Sequence, residues 1–354
     1  MSSDLRVAVV GATGVVGGAM VRMLEERQFP LSALRLFATS RSAGKTVMFR
    51  GAPITVEETS DGLLDSDLVL FAGGDDASRR YAWAVAERGG VAVDNSSTWR
   101  MDPRVPLVVP EVNGGALREH QGVIANPNCT TAALVMVLKP LHETAGIRRA
   151  VVATYQSVSG GGLDNMRALL DHTRRLLDVP EALESGDLGR IGEAAGMPNP
   201  VAFNVRPQWK WQPDGDTEEE AKVVAETQKI MAADIPVSVT TMRVPVLVGH
   251  TLVVHLDLAR PLDADAARRV LAAFPGVEVV DDPGNDRVPT PLLAAGRDPV
   301  FVGRIRPDRF DPLGLRLVIA SDNLRKGAAL NAIQIAEHLM AMGLLRGRTR
   351  AATS

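Results

Sequence analysis

Short apolar runs of strand length alternate along this chain with longer segments whose apolar residues recur every three or four positions, and that alternation predicts a layered α/β architecture. Residues 5–10 are a β-branched apolar run, the octet Gly11-Ala12-Thr13-Gly14-Val15-Val16-Gly17-Gly18 follows, and 19–26 carry a helical pattern. Strand, glycine turn and helix in that order let backbone N–H groups approach a pyrophosphate and aim a helix N-terminus at its charge. The spacing is G-x-x-G-x-x-G and not the commoner G-x-G-x-x-G, so the turn taken alone also fits a purely structural connection. Strands are expected at 34–38, 68–72, 91–93 and 123–125 and a helix over 76–88, which together predict a doubly wound parallel sheet.

Beyond residue 146 the pattern changes. A strand at 147–155 enters Gln156-Ser157-Val158-Ser159-Gly160-Gly161-Gly162, and a helix is expected over 163–177. Residues 178–216, rich in Pro, Gly and Asn, show no clear period and are expected to cover a site or meet a partner subunit. Thr217 is placed to cap a helix running to Met231, and strands follow at 237–241, 251–257, 301–305 and 315–320, with a helix over 261–274. Strands in long succession with few helices predict an α+β domain with a mixed or antiparallel sheet. A last helix over 325–340 has an apolar face expected to return to the first domain. The chain is thus divided into 1–128, completed by 321–354, and 129–320.

Length supports that division, since 354 residues exceed one typical core. A formal net charge of −3 with interspersed signs gives no basic stripe for nucleic acid or anionic membrane, so small-molecule chemistry is favoured. A single cysteine excludes an intramolecular disulfide and any zinc site built on several cysteines; no metal site is expected. Met1-Ser2-Ser3-Asp4 has no basic signal-peptide region and no span long enough for a membrane follows, so a cytoplasmic location is the default. The tail after Leu345 is expected to fray.

Candidate chemistry centres on Ala125-Asn126-Pro127-Asn128-Cys129-Thr130-Thr131. Pro127 disfavours helix for Asn126, Asn128 is a good N-cap, and an apolar helical pattern starts at Thr130. Cys129 then falls in a first helical turn, where the helix dipole favours a thiolate, although a lone cysteine is more often a small buried hydrophobe. After the strand at 34–38 no ribose-binding carboxylate appears; Thr39-Ser40-Arg41-Ser42-Ala43-Gly44-Lys45 stands there, with Arg41 suited to a 2′-phosphate and Ser40, Ser42 and Lys45 beside it. That loop favours NADP over NAD, against the plainer reading of a solvated basic loop.

The blocks GATGVVGG, SRSAGK, VDNSSTWRMDPRVPLVVPEVN, ANPNCTT, YQSVSGGG, FNVRPQ, EEEAKVVAETQKI, MRVPVLVGHT and SDNLRKGAALNAIQIAEHL, in this order over nearly the whole chain, resemble the aspartate-semialdehyde dehydrogenases. The combined Cys, Gln, Arg-Val-Pro-Val and Gly-His blocks carry the specificity. The resemblance implies an N-terminal Rossmann-like NADP-binding domain and an α+β catalytic and dimerisation domain with a mixed sheet, assembled as a homodimer or a tetramer built from dimers. It implies NADPH-dependent reduction of L-aspartyl 4-phosphate to L-aspartate 4-semialdehyde and phosphate, serving lysine, diaminopimelate, threonine and methionine synthesis. Cys129 would become acylated, His250 would be the general acid/base and Gln156 would orient the substrate. Arg243 would clamp its α-carboxylate, Arg100 and Lys222 would hold phosphate, and Glu219 would meet the amine. Gly11, Thr13, Gly14, Val15 and Val16 would line the pyrophosphate, Arg41 and Ser42 the 2′-phosphate, and Ser159, Gly160 and Asn323 the nicotinamide end.

Some positions depart from the family pattern. Ser157 and Gly161-Gly162 stand where alanine is common, and Thr98-Trp99 replaces an Ala-Phe-like pair; none of these removes a catalytic group. Three other readings compete. Glyceraldehyde-3-phosphate dehydrogenase also uses a Cys-His pair, but its dinucleotide site usually carries the ribose-binding carboxylate that is missing here. An N-acetyl-glutamyl-phosphate reductase shares the thioester logic but usually carries its cysteine in an NPGCYPT-like run, which Asn128 and Thr130 do not match. A catalytically silent NADP-binding paralogue would bind cofactor without turnover.

Overall fold

The computed structural model describes residues 5–347, so Met1-Ser2-Ser3-Asp4 and the tail from residue 348 lie outside it. The described chain forms two compact units. The first takes in the residues up to Val135, Glu226–Ala232 and those from Leu324 onward. Its strands are β1 (Arg6–Val10), β2 (Ala33–Ala38), β3 (Thr46–Phe49), β4 (Ala52–Glu58), β5 (Leu68–Phe71), β6 (Val91–Asp94) and β7 (Val123–Ala125), in the order β3-β4-β2-β1-β5-β6-β7. Helices α1 (Val15–Glu26) and α2 (Asp75–Glu87) connect parallel neighbours, and the short α3 (Pro110–Asn113) interrupts the crossing to β7. Central strands covered on both faces read as continuous apolar runs, and Val7, Ala8, Val9, Val10, Leu68, Val69 and Leu70 are all buried.

One feature was not marked by the apolar pattern. Residues 46–58 form an antiparallel hairpin that turns at Arg50 and Gly51, with φ of 50° and 76°, and β4 joins β2 in parallel. The expected parallel sheet is therefore mixed at one edge. An edge hairpin half open to solvent needs only Val47, Phe49, Ile54 and Val56 as apolar contacts, too few to stand out as a buried strand.

Helix α4 (Cys129–Ala145) leads into the second unit. There β8 (Ile147–Gln156), β9 (Arg206–Pro207), β10 (Val237–Arg243), β11 (His250–Leu258), β12 (Val277–Val279), β13 (Val300–Pro307) and β14 (Gly314–Ser321) make a mixed sheet ordered β12-β13-β14-β11-β8-β10-β9. Helix α5 (Leu163–Leu176) follows the glycine run. Residues 178–216 are not structureless: α6 (Pro180–Ser185), α7 (Leu188–Ala195) and β9 lie within them, and Leu169, Leu176, Ala182, Ile191 and Ala195 share a small core. Their short helices, broken by Gly186 and Gly196 in left-handed conformation, hide the helical period from the sequence.

Helix α8 (Glu218–Met231) opens with a capping box. The Thr217 N–H donates to Glu220 Oε2 at 2.7 Å and the Glu220 N–H donates to Thr217 Oγ1 at 3.3 Å. After α9 (Ala264–Ala272) and α10 (Pro291–Ala294), the chain returns to the first unit through a π-helical turn at Arg325–Ala329 and α11 (Leu330–Ala341). Leu330, Ile333, Ile335, Ala336 and Leu339 of α11 are buried in the first unit's core, the face expected from the sequence.

Candidate active site

Cys129 is the first residue of α4. Asn128 caps that helix, its Oδ1 accepting from the Thr130 N–H at 2.8 Å and the Thr131 N–H at 3.4 Å, as an Asn before an apolar helix should. Buried polar contacts within the first unit fix the loop ahead of the cysteine. The Asn128 N–H donates to Glu226 Oε2 at 2.6 Å, and Arg100 Nη1 donates to Glu226 Oε1 at 3.0 Å. Arg100 also donates to the carbonyls of Asn126 and Asn95, at 2.9 and 3.0 Å. Three of its five N–H groups are thus committed to scaffolding. Asn331 donates to Asn126 Oδ1 at 2.7 Å, and the buried Lys326 ammonium donates to Asn331, Glu111 and Gln334. Lys229 donates to the carbonyls of Arg100, Asp102 and Val105, which holds the Arg100 loop, and burial pushes its pKa down.

The π-helical turn brings Gly327 against the cysteine. A methyl there would lie 2.7 Å from Cys129 Cβ and 3.0 Å from its Cα, closer than side chains pack. Gly327→Ala is expected to displace the first turn of α4 and to cut any Cys129-dependent rate on the order of 10²-fold, checked by steady-state kinetics on a variant whose unfolding midpoint confirms a folded protein.

A cleft of about 570 Å³ opens at the carboxyl ends of β1, β2, β4 and β5, where ligands bind in such sheets. Gly11, Thr13 and Gly14 line it with Thr39, Ser40, Glu58, Gly73, Asp76 and Arg80. Gly11 has φ of 83°, and a Cβ on it would lie 2.6 Å from Gly73 Cα, so a side chain is excluded where the loops after β1 and β5 pack together. Val15 and Val16 open α1 directly after Gly14. Arg41 and Ser42 sit in the short 3₁₀ turn Ser40–Ser42 but do not line the cleft; Arg41 is exposed, and Ser42 Oγ accepts from Lys45 Nζ at 3.4 Å.

In the second unit, β8 ends at Gln156 beside the end of β10 at Arg243, and antiparallel β11 begins at His250. The candidate side chains of this unit therefore gather at one sheet edge. Gln156 Nε2 donates to Glu219 Oε1 at 3.2 Å, and Gln208 Nε2 donates to Gln156 Oε1 at 3.0 Å. Arg243 Nη1 donates to the Ser157 carbonyl and Nη2 to Gln208 Oε1 at 3.3 Å. A Cβ on Gly160 would lie 3.5 Å from Arg243 Nη1 and 3.8 Å from His250 Nε2, which places that glycine beside both. Asn323 donates to Ser159 Oγ at 2.9 Å and accepts from the Gly249 N–H at 2.9 Å. Lys222, half-buried, lies 3.8 Å from Glu218. His250 is fully buried, and its pKa is pushed down to about 3, by burial first and the Arg243 charge second, with a Gly249 backbone hydrogen bond opposing them. The imidazole is neutral at pH 7.

A family model described as semialdehyde dehydrogenase, NAD binding domain, matches residues 6–120, and one described as semialdehyde dehydrogenase, dimerisation domain, matches 138–326. An aspartate-semialdehyde dehydrogenase of Aquifex aeolicus is 44% identical over 96% of this chain and 99% of its own. The Streptomyces akiyoshiensis protein of that name is 47% identical, over 94% and 98%. The chain belongs to the aspartate-semialdehyde dehydrogenase family. Among solved structures of the family, aspartate semialdehyde dehydrogenase II of Vibrio cholerae, complexed with ASA, superposes with a TM-score of 0.88 at 39% identity, over 96% of this chain and 99% of that one. The Candida albicans enzyme with NADP gives 0.72 at 27% identity, over 97% and 100%. As a member of the family the chain is an oxidoreductase with a nicotinamide-dinucleotide-binding domain followed by a dimerisation domain.

Several site residues escaped the sequence reading. Glu226 and Lys229 continue the spacing of Glu219 and Lys222 along α8, three and four residues apart on one stripe, and that repeat was the available signal. Gln208, in a stretch without period, bonds both Gln156 and Arg243. Glu58 and Arg80 line the dinucleotide cleft from elements assigned no role.

Proposed function

We propose that this chain reduces L-aspartyl 4-phosphate to L-aspartate 4-semialdehyde with release of phosphate, through a thioester on Cys129, in the synthesis of lysine and diaminopimelate, threonine and methionine. The capped helix start at Cys129, held by Asn128, Glu226 and Arg100, is the observation that carries the reading. The Cys129 thiolate attacks the acyl carbon, the carbon–oxygen bond to phosphate breaks, and Arg100 and Lys222 receive the departing charge. Arg243 pairs with the α-carboxylate, Glu219 meets the amine, and Gln156, fixed between Glu219 and Gln208, orients the acyl group. A bound nicotinamide dinucleotide supplies the hydride that reduces the thioester. His250 takes the proton of the Cys129 thiol as the thiolate attacks, gives it to the oxygen of the reduced carbon, and takes it back as the aldehyde forms and the thiolate is released.

The cleft fits a dinucleotide: Gly11, Gly14 and Gly73 admit a pyrophosphate, and the polar residues Thr13, Thr39, Ser40 and Thr59 are in its lining. NADP is the cofactor we assign, with Arg41 and Ser42 at the 2′-phosphate and Ser159, Gly160 and Asn323 at the nicotinamide. Glu58 opposes that choice. It pairs in register with Ala38 and lines the cleft, where a carboxylate can bond an unphosphorylated ribose.

Residues 1–128 with 321–354 are assigned to cofactor binding and 129–320 to catalysis and dimerisation. Tyr155, Phe203, Val205, Trp209 and Trp211 are large exposed apolar side chains of the second unit and support a homodimer. A cytoplasmic location is consistent with the absence, among the described residues, of any helix long and apolar enough to cross a membrane.

Purified protein with NADP⁺, inorganic phosphate and L-aspartate 4-semialdehyde is expected to form NADPH, followed by absorbance, and more slowly with NAD⁺. Turnover of N-acetyl-L-glutamate 5-semialdehyde but not of the aspartate aldehyde would overturn the substrate; equal use of NAD⁺ would assign the ribose to Glu58.

A further inference from the structure

A 2′-phosphate on a ribose at the end of β2 would arrive among carboxylates. Glu58, the last residue of β4, pairs in register with Ala38, the last of β2, and lines the cleft, as does Asp76 in the first turn of α2. Like charges in one cleft repel, so NADP needs a cation there to offset them. Arg41 is exposed and does not line the cleft, and Lys45 donates to Ser42 Oγ at 3.4 Å. Among the described residues of the lining, the cation is Arg80.

Arg80 stands on α2, after β5, yet its head reaches the loop that follows β4. Its Nη2 lies 3.9 Å from Asp61 Oδ1. Asp61 is two residues past Thr59, whose N–H and Oγ1 both donate to the Ala38 carbonyl, at 2.9 and 3.0 Å. The guanidinium is therefore held near the end of β2, where the ribose of a dinucleotide lies in such sheets. Its central carbon is 4.9 Å from the centroid of the buried Tyr81 ring, which steadies it. The neighbouring Arg79 pairs instead with Asp75, at 3.5 Å. The side chains of Arg80 and Asp61 are 71% and 76% exposed, so their pair is weak and exchangeable for a stronger anion.

We propose that Arg80 is a specificity-determining residue of the cofactor cleft: it gives up Asp61 and pairs with the 2′-phosphate of NADP, offsetting Glu58. A guanidinium suits the task because its planar fork makes paired N–H contacts to two phosphate oxygens. Stacking on the adenine is the competing use of an arginine at this place, and it leaves a different signature. Adenine is common to NADP and NAD, whereas the 2′-phosphate belongs to NADP alone.

This inference rests on NADP being the cofactor. Fluorescence titration of the full chain with NADPH and NADH, and calorimetry with adenosine 2′,5′-bisphosphate and 5′-AMP, read it without turnover. Arg80→Ala is expected to weaken NADPH and the bisphosphate about tenfold or more and to leave NADH and 5′-AMP within about twofold. Arg80→Lys, which keeps the charge and loses the fork, should recover part of the loss. Alanine on an exposed helix position leaves the fold intact, and unfolding midpoints check this. Unchanged NADPH affinity in Arg80→Ala overturns the inference, and so does an equal loss for all four ligands, which marks stacking or a structural role. Arg41→Ala is titrated in parallel: a loss there with none in Arg80→Ala gives the 2′-phosphate to Arg41 and overturns the inference. Equal wild-type affinity for NADPH and NADH would overturn the NADP assignment and this inference with it, whereas a wild-type preference for NADPH with an indifferent Arg80→Ala overturns the inference alone.

Discussion

Cys129→Ala is expected to abolish turnover, by 10⁴-fold or more as an order of magnitude, while NADP⁺ binds as it does to the parent protein. Without the sulfur no acyl-enzyme forms, and neither water nor a neighbouring group supplies a comparable nucleophile. The cofactor should be indifferent because the cleft is lined by Gly11, Thr13, Gly14, Ser40, Gly73 and their neighbours, and Cys129 is not among them. Alanine is also a mild change for the fold: it is a good helix former, and the cap that starts α4 belongs to Asn128. Steady-state rates and a fluorescence titration with NADPH check both halves. Residual activity above about one per cent would rule out the covalent route, since loss of a nucleophile costs far more than that.

Arg243→Lys carries the second large effect, a fall in kcat/KM of about 10²-fold from lost substrate clamping. Arg243 donates to the Ser157 carbonyl and to Gln208 Oε1, and a planar guanidinium fork is the cation suited to paired contacts with a carboxylate. A single ammonium on a flexible stem cannot serve the carbonyl, the amide and two carboxylate oxygens together. The charge is kept, so the electrostatic pressure on His250 stays nearly the same and the pH profile should hold its position. Kinetics against L-aspartate 4-semialdehyde read the effect; an unchanged kcat/KM would remove Arg243 from the clamp.

What could be read from the sequence depended on how local its cause was. The cap at Asn128, Thr217 at the start of α8, the glycine turn at Gly11 and the apolar face of α11 are each set by residues within one or two turns of each other, and all were legible. The hairpin at 46–58 was not, because its few alternating apolar residues satisfy an edge and not a core. The helices within 178–216 were too short to show a period. Partnerships across the chain were the least legible. Arg100 and Glu226 are 126 residues apart, and no local pattern tells an arginine meant for substrate from one that anchors a loop. The sequence points to Arg100 as a phosphate ligand; the structure has it donating to the carbonyls of Asn95 and Asn126 and forming a buried ion pair with Glu226, which is costly to break by removing one partner.

The central claim is the thioester on Cys129, and its most direct measurement is the mass of the protein during half a reaction. With NADP⁺ and L-aspartate 4-semialdehyde but no phosphate or other acyl acceptor, the enzyme should form NADPH in a burst stoichiometric with subunits and stop. After acid quench, digestion should locate one aspartyl group on the peptide bearing Cys129, and added phosphate should discharge it and restart NADPH formation. A burst without an adduct on that peptide, or steady NADPH formation by the Cys129→Ala protein, would contradict the account.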